Sequence, residues 1–563
     1  MTTPPLSRPF NRPFDRPFNR RSFLRSAVGV AVMSATGVPT LVACSNGSTA
    51  SGPARASSVT LPTYVAFEGP KPDLPGTADG VPPGYLTYPK DLVTTVKTPP
   101  LSGGTVSVMT DIFDPLPPAK DKNAAWQAVE QKLGGTLDLT IVPDSDWATK
   151  FQTVLAANEL PDLVLLSDSS LVNNLPAFLS AKCTDLTPYL SGDKVKDYPN
   201  LANIPQVIWQ ACVVQDKIYG LPIPRSITGG AGFYNKRLFD AAGIEYPATA
   251  EDFLAACKEL TRPQQGQWAI VNSKGNTFFT MIQQMFGVPN GWKDDGGKLT
   301  RSFETPEYKA ALEFAVQLVK AGVTVPGSDG IDGTARKNAF RAGKGALVYD
   351  GFPAYSGYVK DMARLDPKND PRAFVPMAPK GGKANTWSDN ILFAYTLMKK
   401  ADEKRAKELL AVANFFAAPF GSTENLLLTY GVEGVDFTRD AKGNPTLTSK
   451  GEAELTVPWK YITAPPQALY NAQFPTYVER AHEDLTKLIG MVVKDPTASL
   501  ISPTNDKFGG DIGQALTDVR NDVIAGRKPI SAFEAAVKKW AKDGGDKIRG
   551  EFESALSGGA SPR

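Results

Sequence analysis

The sequence predicts an α/β protein built on a parallel sheet covered by helices. Three observations carry this. Strand-like and helix-like patterns alternate across 105–166 in the order β-α-β-α-β. The strands are too far apart for hairpins, and the third is apolar on both faces, as a buried parallel strand must be. The composition, 42% hydrophobic and 21% charged over 563 residues, is that of a globular chain long enough for two or more domains.

Residues 105–110 alternate and are β-branched, which predicts a strand opening just after Gly103-Gly104. Trp126, Val129 and Leu133 recur at helical spacing over 123–133. A second strand is expected over 136–142. Ser145 is read as the N-cap of a helix that buries Trp147, Phe151, Val154 and Leu155. Leu160-Pro161 breaks it, and 162–166 is the third strand. Parallel sheets hold ligands beyond the carboxyl ends of their strands, here at Asp111 and Asp168.

Two further stretches concern where the chain works. Asn19-Arg20-Arg21-Ser22-Phe23-Leu24-Arg25 resembles a twin-arginine export signal. The apolar run after it, 27–40, is too short for a stable membrane span, which needs roughly 20 residues. Leu41-Val42-Ala43-Cys44 resembles a lipobox, in which the chain is cut before the cysteine and the thiol is lipidated. The plainer alternative is an ordinary secretory signal with an incidental cysteine. Two acyl chains hold a protein at a membrane where one would not, at roughly 0.8 kcal/mol per buried CH₂. Residues 1–43 are therefore expected to be the signal, and 44–102, rich in Pro, Gly, Ser and Thr, a tether. The aromatic residues Tyr64, Phe67, Tyr85 and Tyr88 allow its later part to lie along the folded body.

Composition excludes much. A net charge of +3 makes no case for nucleic acid. The one histidine, His482, leaves little room for a histidine-based nucleophile or an imidazole metal site. Cys183, Cys212 and Cys257 lack metal-site spacing; one disulfide with a leftover thiol and three free thiols both remain open. There is no glycine-rich phosphate loop.

One ordered set of motifs goes further. Tyr219-Gly220-Leu221-Pro222 is followed by Tyr234-Asn235-Lys236, Leu238-Phe239, Gly243-Ile244 and Pro247-Ala248-Thr249. Phe340-Arg341-Ala342-Gly343-Lys344-Gly345-Ala346-Leu347 and Tyr430-Gly431-Val432-Glu433-Gly434 come later, and Gly544-Gly545-Asp546-Lys547-Ile548 near the end. Together they resemble the family 1 extracellular solute-binding proteins of ABC importers, and in particular an oligosaccharide-binding lipoprotein branch of the LplA type. The resemblance spans about 103–552.

It implies a two-lobed fold of the type II periplasmic-binding-protein kind, with a hinge between the lobes and ligand in the cleft. Carried onto this chain, the lobes are 103–222 with 380–429, and 223–379 with 430–563. The crossings are expected near 219–224, 374–379 and 430. The implied function is capture of a carbohydrate, expected to be an oligosaccharide, and its delivery to a permease at the outer face of the cytoplasmic membrane. The protein would be a monomer and do no chemistry. An anchored carbohydrate-active enzyme using a carboxylate pair, or a binder of a non-sugar solute, are the alternatives.

Sugars are held by aromatic faces against their CH surface and by planar polar groups at their hydroxyls. The residues expected in the cleft are Asp111, Asp168, Arg225, Asp350, Phe352, Tyr355, Trp387, Asp389 and Trp459. No cofactor is expected. Some alginate-binding relatives carry a calcium loop, but no Asp-x-Asp-x-Asp-Gly pattern with a following Glu occurs here, so no metal is expected.

Overall fold

The computed structural model describes residues 59–557, apart from 274, 389, 390, 499 and 501. The twin-arginine stretch and Cys44 lie outside the described residues. Among the described residues, no helix is long and apolar enough to cross a membrane.

Two sheets organise the chain. The first holds β1 (Thr105–Ile112), β2 (Thr136–Pro143), β3 (Leu163–Leu166) and β4 (Gly220–Pro224), and takes in β9 (Leu392–Met398) from far along the chain. Its order is β2-β1-β3-β9-β4. β1 runs parallel to β2 and β3, while β9 is antiparallel to β3 and β4. The second sheet contains β5 (Gly230–Asn235), β6 (Trp268–Ile270), β7 (Gly345–Gly351) and β8 (Pro371–Phe374), in the order β8-β5-β7-β6. The fold is α/β and two-lobed.

The expected β-α-β-α-β start is present. Helix Ala124–Leu133 is capped by the Asn123 side chain, which accepts from the Trp126 backbone N–H at 2.8 Å, and is ended by Gly134 at φ 72°. The next helix, Asp144–Ala157, begins one residue before Ser145, and no side chain caps it. Ser145 is thus inside the helix, and Asp144 stands at its first turn, where a carboxylate faces the positive end of the helix dipole.

Each sheet is buried in its own apolar core. Val106, Trp126, Trp209, Phe415, Phe416 and Trp459 belong to the first. Phe253, Phe279, Ala346 and Leu347 fill one side of the second sheet, and Phe233, Phe352, Tyr355 and Tyr358 the other. Cys183, Cys212 and Cys257 are free and buried; burial raises all three thiols, Cys183 to about 12.

The lobe boundaries fall later in the chain than expected. β4 still belongs to the first sheet, so the first crossing is 225–229. After β8 the chain does not return at once: Thr386–Trp387 first pairs with Val492–Val493. It re-enters the first sheet only at Leu392. Nor does it cross near Tyr430. Glu454 accepts from the Ala124 backbone N–H at 2.6 Å, and Trp459 stacks on Phe416 with centroids 5.7 Å apart, which holds this region on the first lobe. Thr463 donates to the Pro222 carbonyl at 2.8 Å, whereas Leu469 packs in the second lobe, so the third crossing lies between them.

The expected tether is shorter than 44–102, because 59–102 is packed along the body. Thr63 donates to Gly192 O on the first lobe at 3.0 Å. Gly84–Tyr85 pairs with Leu469–Tyr470, and His482 of helix Pro475–Gly490 is 2.9 Å from the Pro75 carbonyl. Val93 then returns to the first lobe, donating to Gly421 O at 3.1 Å. Tyr88 is fully buried among Phe420, Tyr430 and Tyr470, burial that a Pro-rich composition does not announce.

Candidate functional site

The first sheet presents one edge to the second lobe. At it lie the carboxyl ends of β1, β2 and β4 and the amino end of antiparallel β9, and from it the first two crossings leave. Arg225, the first residue after β4, donates its backbone N–H to Ile391 O at 2.7 Å, which ties those two crossings together. A Cβ added at Gly351 would lie 3.6 Å from an Arg225 guanidinium nitrogen, so the arginine reaches the end of β7. Phe352 donates to Gly229 O at 2.9 Å across the same junction.

Three aromatic rings cluster at this edge. Phe113 follows β1 directly and is 44% exposed. Its ring meets Phe393 and Tyr461 edge-on, each at 5.9 Å. Phe393 and Tyr461 stack at 5.1 Å and 28°. The Arg225 guanidinium sits 5.1 Å from the Phe393 centroid, and Lys460 Nζ 5.1 Å from that of Tyr461, both within cation–π range. An open cavity of about 240 Å³ has Ile112, Asp114, Lys460, Tyr461 and Thr463 in its wall. That is below the roughly 300–1,000 Å³ of enclosed small-molecule pockets, and its wall is formed by first-lobe residues, Phe416 and Trp459 among them.

Asp111 is the electrostatic anomaly of the site. It is fully buried, and among the described residues neither carboxylate oxygen has a hydrogen-bond partner. Burial pushes its carboxyl up to about 7, the charge of Asp144 adds to this, and Lys460 opposes it. Asp144 is itself raised by burial, against a pull from Lys337 on the second lobe's helix Gly333–Arg341. A buried polar group without partners is costly, roughly 1–3 kcal/mol, which marks Asp111 as the least compensated carboxylate at this edge.

The other expected site residues divide. Arg225 stands in the cleft junction as described. Asp168 is exposed past β3, and its backbone carbonyl closes the turn Ser169–Leu171. Asp350 is not a free ligand group: it accepts from Arg336 at 2.8 Å, from the Gly351 N–H at 2.8 Å and from the Tyr358 hydroxyl. Phe352 and Tyr355 are 4% and 0% exposed and pack on Phe233 in the second lobe's core, so they are no platform. Trp387 is half-buried against that lobe's other core and donates Nε1–H to Val288 O at 2.8 Å. Trp459 packs in the first lobe's core, edge-on to Trp126, and also borders the cavity beside Lys460 and Tyr461. Asp389 lies outside the described residues. Helix Ala354–Leu365 buries Phe352 and Tyr355 in the second lobe's core, and Trp387 is held at Val288.

Sequence reasoning does not single out Phe113 or Phe393. A signal existed for Phe113, since it follows Asp111-Ile112 at the end of β1. Phe393 had none, because β9 joins this sheet only through tertiary pairing.

Comparison with known proteins gives a consistent picture. The sequence profile of bacterial extracellular solute-binding proteins matches residues 116–419. The polygalacturonan/rhamnogalacturonan-binding protein YtcQ of Bacillus subtilis (strain 168) is 26% identical over 487 residues, 82% of this chain and 93% of that protein. Lipoprotein LipO of the same organism is 25% identical, over 79% of this chain and 91% of its own length. Among solved structures, the alginate-binding protein AlgQ2 without calcium ion superimposes with a TM-score of 0.61 at 12% identity, covering 82% of this chain and 99% of that one.

Proposed function

The chain belongs to the family of bacterial extracellular solute-binding proteins, and from that premise we propose that it captures an oligosaccharide between its lobes and delivers it to the permease of an ABC importer. The observation that carries the reading is the Phe113, Phe393 and Tyr461 cluster beside the unpartnered Asp111. Aromatic faces cover the CH surface of a sugar ring, and a carboxylate receives its hydroxyls. The names of the relatives support a saccharide, YtcQ being a polygalacturonan/rhamnogalacturonan binder.

Capture works by closure. Ligand bound to both lobes favours the closed hinge by the difference in its affinity for the two states, and the permease reads that state. The protein supplies binding and no chemistry. Location follows the family: the protein works outside the cytoplasm. The finer proposal is twin-arginine export, cleavage before Cys44 and lipidation there, holding a monomer at the outer membrane face through a tether of 44–58.

One observation favours a catalytic alternative. Asp111, raised to about 7, is in the range of a general acid, and Asp144 interacts with it. A thermal-shift screen of the purified protein against oligosaccharides decides between them. A bound ligand at about 100 times its Kd stabilises by about 2.7 kcal/mol and raises Tm. A sugar that raises Tm and is recovered uncut supports capture. A sugar recovered cleaved replaces capture with hydrolysis or elimination, and a screen with no shift overturns the carbohydrate reading.

A further inference from the structure

The cations at the cleft have unequal surroundings. On the second lobe, Arg336 and Lys337 are committed to Asp350, at 2.8 and 4.0 Å. On the first, Arg225 and Lys460 have no carboxylate within salt-bridge distance among the described residues, and each lies over an aromatic ring instead. The rings are the stacked pair Phe393 and Tyr461, so the two charges flank a single aromatic surface. A guanidinium laid on a ring keeps its N–H edge in plane and open, the geometry that grips a carboxylate through two parallel hydrogen bonds. An exposed lysine beside it adds a mobile point charge.

We propose that Arg225 and Lys460 read carboxylates on the ligand, and that the cleft therefore takes acidic, uronate-bearing oligosaccharides in preference to neutral ones. This rests on the oligosaccharide reading and deepens it. The carboxylates on the same rim fit that ligand rather than oppose it. Asp111, Asp114 and Asp144 lie at the ends of β1 and β2, while the two cations sit on the Phe393–Tyr461 pair. A uronate ring carries hydroxyl donors as well as a carboxylate acceptor, so one ring satisfies both groups. A neutral sugar leaves the cations without a charged partner. A fully anionic ligand without hydroxyls meets the aspartates with like charge.

The test is calorimetric titration of the purified protein at low salt with trigalacturonate and with the same trimer after its carboxylates are reduced to alcohols. The acidic trimer is expected to bind at least about tenfold more tightly, the scale of one charged hydrogen bond. R225M and K460M are each expected to reduce that preference, the ratio of the two trimers' affinities, by about tenfold. Lys460 is exposed, so K460M keeps the fold even if R225M weakens it. Equal affinity for the two trimers overturns the inference, as does a preference that survives in K460M. Binding of a neutral oligosaccharide but of neither trimer overturns it and leaves the capture function standing. Binding of no saccharide at all overturns that function as well.

Discussion

Asp111 and Asp350 occupy similar positions in the two lobes, each in the last two residues of a long strand at the interlobe side, yet their surroundings differ completely. Asp350 receives Arg336, Tyr358 and the Gly351 N–H, and its oxygens are satisfied within its own lobe. Asp111 receives no side-chain hydrogen bond among the described residues, and the charge of Lys460 favours its carboxylate from nearby. The difference lies in the neighbours. Helices Gly333–Arg341 and Ala354–Leu365 bring an arginine and a tyrosine to Asp350, whereas Asp111 is buried with the like charge of Asp144 and the opposing charge of Lys460 nearby. One strand-end aspartate is a strut, and the other is buried without a hydrogen-bonding side chain from its neighbours.

Removing the strut has the largest expected effect. Asp350→Ala strands a buried guanidinium and a buried hydroxyl, and is expected to cost about 3–5 kcal/mol in urea unfolding. A loss under about 1 kcal/mol would show that the network does not hold the lobe.

Asp111→Asn works in the opposite direction and depends on pH. The native carboxyl, at about 7, lies above its ordinary value of 3.8, so the folded state holds the proton more tightly than the unfolded one. The resulting penalty is absent below pH 3.8, grows as pH rises towards 7 and is complete above it. The Asn variant is therefore expected to match the native protein at low pH and to exceed its unfolding free energy at pH 8, by up to about 4 kcal/mol. Equal stability of the two at both pH values would mean that Asp111 is solvated in the working protein. The same variant is expected to lose affinity for oligosaccharide.

Phe113→Ala is the mildest change to the fold. The ring is 44% exposed, so stability should move by no more than about 0.5 kcal/mol. Loss of a stacking face should weaken oligosaccharide binding by about tenfold. Unchanged binding would place the ligand elsewhere in the cleft.

How much of this was legible differs between fold and site. The opening β-α-β-α-β is local: periodicity, Asn123 and Gly134 fix it, and the strands fall within two residues of where the pattern puts them. Arg225 and Asp111 lie at the interlobe edge because strand ends in parallel sheets converge. Phe352 and Tyr355 pack in the second lobe's core because aromatic residues supply cores and platforms alike, and only the covering element separates the two.

The sequence by itself determined the α/β class, the family and the strand-end carboxylates, because these follow from periodicity and ordered motifs. Only the tertiary structure decided where the lobes divide, which rings face the cleft and which aspartate lacks a partner. Those depend on β9 inserting between β3 and β4, on 59–102 running across both lobes and on 423–463 remaining with the first. Such contacts join residues hundreds of positions apart, and no local pattern records them.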